Sequence, residues 1–326
     1  MVYTLSPPSD NYATGGYKYN KRLHEFFPDN TMTSIHVKSG ELDLWVQKNT
    51  DALDKVLIDS LYLFHPGQLH KLLAFTSKRK QGTYLLCHYL PSFDSGEICV
   101  DSRTKKLLPR FTGIICPSRF LSDLIHSYNK NICVAKPGID TVFSCDSKVT
   151  RKKQVLTVAN PSPVKNIEFL TDLFSTWFPI DWRWVIAGDY QSDYGKELMH
   201  RCKKGLGEER VLFYGVAGLE ELAALYNESA FLCLSSKIET YGICAAEAQA
   251  CCLPVIGPCA GGLREAVENN RTGKLIPLEN RHSWIQTVRK CFTQPEYLEY
   301  FEKQLYRKKR NTWKMTAQII YSFLYS

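Results

Sequence analysis

Nothing in the 326 residues offers a membrane span: no apolar run approaches the roughly 18 residues that a crossing helix needs. The opening stretch, MVYTLSPPSDNYATGG, lacks a basic head followed by a long apolar segment, so no signal peptide is expected. The expected location is the cytoplasm, with peripheral contact at the inner membrane face left open. No CxxC spacing occurs among the 12 cysteines, which argues against a disulfide framework or a metal site. Most of them interrupt apolar segments, as in GIICPS, FLCLSS and ACCLPVIG, where cysteine acts as a small buried hydrophobe and stays reduced. There is no repeat at a solenoid period and no low-complexity tract. The net charge of +8 is spread along the chain, and its densest run, RKKR at 307–310, accompanies no nucleic-acid motif. That run reads as a solvated helix face, and nucleic acid is not an expected partner.

What the chain does contain is alternation. Short runs rich in Val, Ile, Leu and aromatics read as strands at Val2–Leu5, Ser34–Val37, Val56–Leu61, Tyr84–Cys87, Gly113–Cys116 and Ile132–Ala135. A second series follows at Val155–Val158, Trp182–Ala187, Val211–Phe213, Phe231–Leu234, Pro254–Ile256 and Lys274–Ile276. Between the strands lie amphipathic stretches such as NIEFLTDLFSTWF and LEELAALYNESA. Alternation of this kind predicts parallel sheets covered by helices, and two series predict two Rossmann-like domains. The polar, basic and aperiodic stretch PGIDTVFSCDSKVTRKKQ, 137–154, predicts the hinge near Ser144–Lys152. The expected division is 1–148, 149–305 and a C-terminal helix, 306–326, whose apolar residues Trp313, Ile319, Ile320, Phe323 and Leu324 return to the first domain.

One stretch raises a chemical question. ETYGICAAEAQA, 239–250, places two carboxylates, Glu239 and Glu247, around a Tyr-Gly step in a run of alanines. AFLCLSS before it reads as a buried strand, KIE as a loop at its C-terminal edge, and a helix is expected from about Tyr241. Ligands of open α/β sheets bind at such edges. The amides of Tyr241, Gly242 and Ile243 then form an anion site, and Gly242 allows close approach of a ligand. A diphosphate there would have a carboxylate on each side to accept hydrogen bonds from sugar hydroxyls. The bland alternative is a solvent-facing glutamate and an acid complementing the helix dipole.

In the first half, Gly15 and Gly16 within ATGGYKYNKRL supply a flexible loop and a helix start, or an ordinary turn. His88 ends the buried strand TYLLCHYLP, where a histidine is commonly a packed polar group. Tyr12, Tyr17, Tyr19, Phe26 and Phe27 with neighbouring basic residues would suit an interfacial face, and the same pattern describes a helix packed on its own sheet.

ETYGICAAEAQACCLPVIGPCAGGLREAV, 239–267, closely resembles the signature of retaining GT-B glycosyltransferases of family 4. Glu239, Gly242, Glu247, Ala248, Pro254, Val255, Ile256, Gly261, Gly262 and Glu265 fit its pattern. VLTVANPSPVKNIEFL, WVIAGD, LLCHYLP, ICPSRFLSDLI and VAKPGID extend the likeness over most of the chain. The resemblance implies two Rossmann-like domains facing each other across a cleft. It implies a retaining hexosyltransferase that moves a sugar from a nucleoside-diphosphate sugar, with UDP the commonest carrier, to a hydroxyl on an oligosaccharide, lipid or small metabolite. Glu239, His88 and Lys165 would be catalytic: Glu239 on the donor hexose, Lys165 on the diphosphate, His88 orienting or stabilising charge. Glu247 would hold the ribose. Asn160, Thr240, Tyr241, Gly242, Ile243, Val216, Ala217, Gly15 and Gly16 would complete the donor site. With no DxD motif at a strand end, neither metal nor cofactor is expected. The family usually has an Arg five or six residues before the Lys; Ala159 and Asn160 stand there instead, removing one fixed charge. An inactive relative that binds a nucleotide sugar as a partner subunit is the alternative.

Overall fold

The structure, a computed structural model, describes every residue except 9–13, 29–30 and 50–53. The chain divides into two compact units, Met1–Gly138 with Asn311–Ser326, and Ile139–Arg310. Tyr12 lies outside the described residues.

The first unit is built on β1 (Val2–Ser6), β2 (Met32–His36), β3 (Lys55–Asp59), β4 (Gly82–Leu86), β5 (Gly113–Cys116) and β6 (Ile132–Val134), all parallel in the order β2-β1-β3-β4-β5-β6. β5 is buried along its whole length, as expected for a strand covered on both faces. The order reverses at β1, which pairs with β2 on one side and with β3 on the other, so a crevice opens beyond the C-terminal ends of β1 and β3. The helix Gly15–Phe26 starts there. Its residues Tyr19 and Leu23 are buried, as is Phe27 just after it, whereas Phe26 is 44% exposed. Of the aromatics considered for membrane contact, Tyr19 and Phe27 are therefore core, Tyr17 is half-buried and Phe26 is exposed: the helix packs its apolar side on its own unit.

The C-terminal helix Trp313–Tyr325 belongs to this unit as well. Trp313, Ala317, Ile320 and Leu324 are buried at helical spacing, and the Trp313 ring meets Tyr19 edge-on at 5.4 Å. Ile319, assigned to the buried face from sequence, is instead 42% exposed, because the buried stripe runs through Ala317.

The second unit carries β7 (Gln154–Val158), β8 (Arg183–Ala187), β9 (Val211–Gly215), β10 (Phe231–Cys233), β11 (Val255–Pro258) and β12 (Gly273–Ile276) in the order β12-β11-β10-β7-β8-β9. All are parallel, and the reversal falls between β7 and β10, where Val155 stands opposite Phe231. Two cores cover the sheet's faces, one dominated by Trp184, Trp284, Phe174 and Phe231, the other by Phe143, Tyr226 and the alanines of the helix Ile243–Ala250.

The unit boundary lies about ten residues earlier than the polar stretch implied. Residues 139–152 are bonded into the second unit, which is why they are polar without being a linker. Phe143 is fully buried against Tyr226, and the Asp146 amide donates to Asn227 Oδ1 at 2.9 Å. The Arg151 guanidinium donates to the carbonyls of Tyr226, Asn227, Ser229 and Cys251 and pairs with Glu302. The basic run 307–310 is likewise no helix face: Lys308 Nζ donates to Gln249 Oε1 and to the Ala266 carbonyl, and Arg310 to the Phe143 carbonyl. These bonds place the second boundary at Arg310 rather than residue 305. None of the 12 cysteines is paired, and eight are buried.

Candidate functional site

Two constellations stand at the C-terminal ends of strands, one in each unit. In the second unit, Lys165 follows β7 and Glu239 follows β10, so the sheet's point of reversal brings them together. Lys165 Nζ lies 2.6 Å from Glu239 Oε1, and Ser236 Oγ donates to the same oxygen at 2.6 Å. Both loops are tied down. Ser235 Oγ donates to the Lys165 carbonyl, Asn166 Nδ2 to the Ser235 carbonyl, and the Lys237 amide to the Val164 carbonyl. Burial acts to lower the Lys165 pKa, but the Glu239 carboxylate outweighs it, and the pKa is raised. The ammonium is thus fixed as a charge.

The helix after this loop begins at Ile243, two residues later than the sequence implied. Gly242 is its N-cap and adopts the left-handed region at φ +89, with a would-be Cβ 2.7 Å from Leu263 Cδ1. Backbone conformation and packing therefore favour glycine at 242 whether or not a ligand approaches it. The amides of Ile243 and Cys244 have no acceptor among the described residues and point out of the helix start, as first-turn donors do. Tyr241 is buried just before the helix, and burial, helped by Glu265, pushes its phenol up to about 12. Thr240 is half-buried.

Glu247 sits one turn further along and is 4% exposed, accepting from Tyr226 Oη at 3.2 Å. Glu239 lies in the loop and Glu247 in the helix, with Gly242 as the cap between them. Asn160 is the second residue of the loop after β7, and its Oδ1 accepts from the Asp189 amide at 2.9 Å, joining the ends of β7 and β8. Val216 and Ala217 follow β9 at the sheet's edge, Val216 56% exposed and Ala217 packed against the core.

In the first unit, Gly15 and Gly16 are the first two residues of the helix Gly15–Phe26 rather than a loop, and Thr14 is the N-cap. His88 lies two residues beyond the end of β4. Its ring lies beside Gly16: a Cβ there would sit 3.5 Å from His88 Cδ2. The ring is 9% exposed and edge-on to Tyr19 at 4.8 Å. Its Nε2 is 2.8 Å from Asn20 Oδ1, and its amide donates to Ser60 Oγ at 3.0 Å. Burial lowers the His88 pKa, against an opposing pull from Asp59.

Several participants escaped the sequence reading. Gly262 matched a motif but had no role: its amide donates to the Glu239 carbonyl at 2.7 Å, and a Cβ on it would lie 2.1 Å from the Thr240 carbonyl oxygen. It sets the path of the Glu239–Tyr241 loop. Ser236, three residues before Glu239, was legible as an adjacent hydroxyl. Tyr226, Asn20, Asp59 and Ser60 carry no local signal, because only the fold brings them to the site.

Chemically, an ammonium, two helix-start amides and two carboxylates make the second-unit constellation suited to an anion flanked by hydroxylated groups. A family model described as "Glycosyl transferases group 1" matches residues 143–308. A probable sucrose-phosphate synthase of Thermosipho melanesiensis is 29% identical over 166 residues, 47% of this chain and 38% of that protein. A D-inositol 3-phosphate glycosyltransferase of Rhodococcus erythropolis is 35% identical over 109 residues, 33% of this chain and 25% of that protein. The matches thus span well under half the length of these relatives. Among solved structures, Anabaena HepE in complex with UDP and glucose superposes with a TM-score of 0.80 at 16% identity, covering 99% of both chains. Sucrose-phosphate synthase from Thermosynechococcus elongatus follows with a TM-score of 0.78 at 17% identity, covering 99% of this chain and 98% of that one. These likenesses show the fold, two parallel six-stranded sheets with flanking helices as in GT-B glycosyltransferases.

Proposed function

The chain belongs to the glycosyl transferases group 1 family, and from that membership we propose that it is a retaining, metal-independent hexosyltransferase acting from a UDP-sugar on a hydroxyl acceptor. The observation that carries this reading is the Lys165–Glu239 pair at the reversal of the sheet, beside a helix start with free amides. A nucleoside diphosphate is the leaving group that such a site stabilises: as the bond from the anomeric carbon breaks, negative charge grows on the diphosphate, and a fixed ammonium and oriented amides lower the barrier. Glu239 holds hydroxyls of the transferred hexose and Glu247 those of the ribose. His88 steadies the donor sugar, and Gly15 and Gly16 keep the helix start beside His88 free of side chains. The solved structures of HepE with UDP and with UDP-glucose support the donor class.

A second reading has a specific observation behind it. Asn160 stands where the family resemblance implies a cation, and Lys165 is engaged by Glu239, which suits a protein that binds a nucleotide sugar without turning it over. The test is a thermal-shift screen of nucleotide sugars followed by measurement of UDP release when hydroxyl acceptors are added. A ligand at a hundred times its Kd stabilises the folded state by about 2.7 kcal/mol. Stabilisation with acceptor-dependent UDP release supports the transferase; stabilisation without release across the acceptor classes supports the binding subunit; no stabilisation by any nucleotide sugar overturns both.

A further inference from the structure

His88 does not stand alone: it is the end of a buried chain of hydrogen bonds that determines where its proton sits. Asp59, at the end of β3, is 2% exposed, and its Oδ1 accepts from the Leu61 amide at 2.8 Å. Its Oδ2 accepts from Asn20 Nδ2. Asn20, on the helix Gly15–Phe26, is 8% exposed and turns its Oδ1 to His88 Nε2 at 2.8 Å. Ser60 next to Asp59 receives the amides of His88 and Tyr89 on its Oγ, fixing the backbone that carries the ring.

Donor and acceptor identities run through this chain in one direction. A carboxylate only accepts, so the Asn20 amide must present its NH₂ to Asp59. Its carbonyl oxygen is then left for the histidine, and an amide oxygen also only accepts. Nε2 of His88 must therefore carry hydrogen. In a neutral imidazole this leaves Nδ1 unprotonated, as an acceptor. Nδ1 has no hydrogen-bond partner among the described residues.

We propose that Asn20 and Asp59 are positioning residues that lock His88 as its Nε2-protonated neutral tautomer, so that Nδ1 offers a lone pair to a hydroxyl of the transferred hexose. The identity of that hydroxyl's owner rests on the transferase reading above; the tautomer lock does not. The buried surroundings act in the same direction by holding the ring neutral, while Tyr19 contributes a phenol that burial keeps protonated and that donates elsewhere, to the Ala135 carbonyl at 2.7 Å. The lock differs from a carboxylate–histidine contact, because the interposed amide transmits orientation without placing a negative charge on the ring.

The test uses the full chain labelled with ¹⁵N-histidine and long-range ¹H–¹⁵N correlation, with His88→Gln identifying the signal. At neutral pH, His88 is expected to show the pattern of the Nε2-protonated tautomer. Asp59→Asn keeps an oxygen for the Leu61 amide but turns an NH₂ toward Asn20, which rotates the Asn20 amide and presents NH₂ to His88. The pattern should then change to the Nδ1-protonated tautomer. Asn20→Leu should give a mixture of the two. Under the transferase reading, kcat of Asp59→Asn falls about tenfold, the equivalent of one hydrogen bond lost in the transition state, while UDP affinity is unchanged. A wild-type ring that is Nδ1-protonated or averaged overturns the lock, and this measurement needs no variant to fold. An unchanged tautomer in Asp59→Asn also overturns it. The expected tautomers without any glycosyl transfer leave the lock standing and refute the transferase reading alone.

Discussion

Replacing Glu239 by Gln should tighten binding of free UDP while abolishing most transfer. In the structure the carboxylate shares one oxygen between Lys165 Nζ and Ser236 Oγ, both at 2.6 Å, and Glu239 is 8% exposed. A diphosphate approaching Lys165 competes with that carboxylate for the same ammonium. Two unit charges at close range interact by about 4 kcal/mol at the effective dielectric of a protein surface. The Lys165 side chain is 31% exposed, so solvent screens the pair. A net coupling of about 1–2 kcal/mol follows once screening and desolvation are counted. Neutralising Glu239 returns that amount to the diphosphate, about 5- to 30-fold in UDP affinity. Turnover should fall by about a hundredfold or more, because the hexose contact is lost. The raised Lys165 pKa does not confuse the comparison. Its stabilising contribution is fully present below the unfolded value of about 10.4 and is lost only as pH rises through the higher folded value, so assays at about pH 7 see a constant charge. Calorimetry with UDP alone, beside UDP release from the intact donor, decides the matter. Weaker UDP binding by Glu239→Gln than by the wild type would mean that the pair is a structural strut and that Lys165 is not the cation of the diphosphate.

Glu247→Ala should lower both UDP affinity and stability by about 1–3 kcal/mol, since Tyr226 Oη loses its buried acceptor; urea titration and calorimetry read the two effects, and Glu247→Gln should spare the stability. Gly262→Ala should destabilise the fold by about 1–3 kcal/mol, because its Cβ would meet the Thr240 carbonyl oxygen at 2.1 Å, whereas Gly16→Ala, facing His88 at 3.5 Å, should leave the melting temperature unchanged. The lowered His88 pKa contributes stability that is present above the unfolded value of about 6.5 and is lost as pH falls through it toward the folded value; urea midpoints of His88→Phe measured across that range should depend less on pH than those of the wild type. Asn160→Arg should cost about 1 kcal/mol through the lost bond from the Asp189 amide while tightening UDP binding, and a variant that changes neither melting temperature nor affinity counts against both roles.

All twelve strands expected from the sequence are present, and the reason is physical. Parallel strands covered on both faces, such as Gly113–Cys116 and Phe231–Cys233, read as uninterrupted apolar runs. The unit boundary was less legible. The polarity of 139–152 looks like a linker, yet Arg151 spends its charge on four carbonyls and one carboxylate of the second unit. Composition records that a residue is polar and not whether its polar atoms find partners. The helix start was misplaced for a related reason: the good helix formers suggested Tyr241, but the left-handed backbone at Gly242 delays the helix to Ile243. Among the site residues, Lys165, Glu239, Glu247 and His88 could each be nominated singly. Their partners could not, since Asn20 is separated from Asp59 by 39 residues and from His88 by 68, and only the strand order brings them together.

Asn160 shows how such a departure from pattern gains meaning from structure. Viewed as a string, it is a missing cation. In the fold, its Oδ1 takes the Asp189 amide and holds the ends of β7 and β8 together at the mouth of the site. An arginine has no acceptor and could not make that bond. Asparagine here therefore gives the loop that precedes Lys165 a fixed bond in place of a further cation. Under the proposed transferase reading it also increases the weight on Lys165, whose ammonium would leave Glu239, or be shared with it, on arrival of a diphosphate. A site arranged this way would gain from the sugar of the proposed donor as well as from its phosphates. A hexose that engages Glu239 satisfies the carboxylate that would otherwise hold the lysine, so the intact donor should suffer less from the competition than the free diphosphate does. Donor and product then differ in affinity through the ion pair itself, and the wild type should favour release of UDP after transfer.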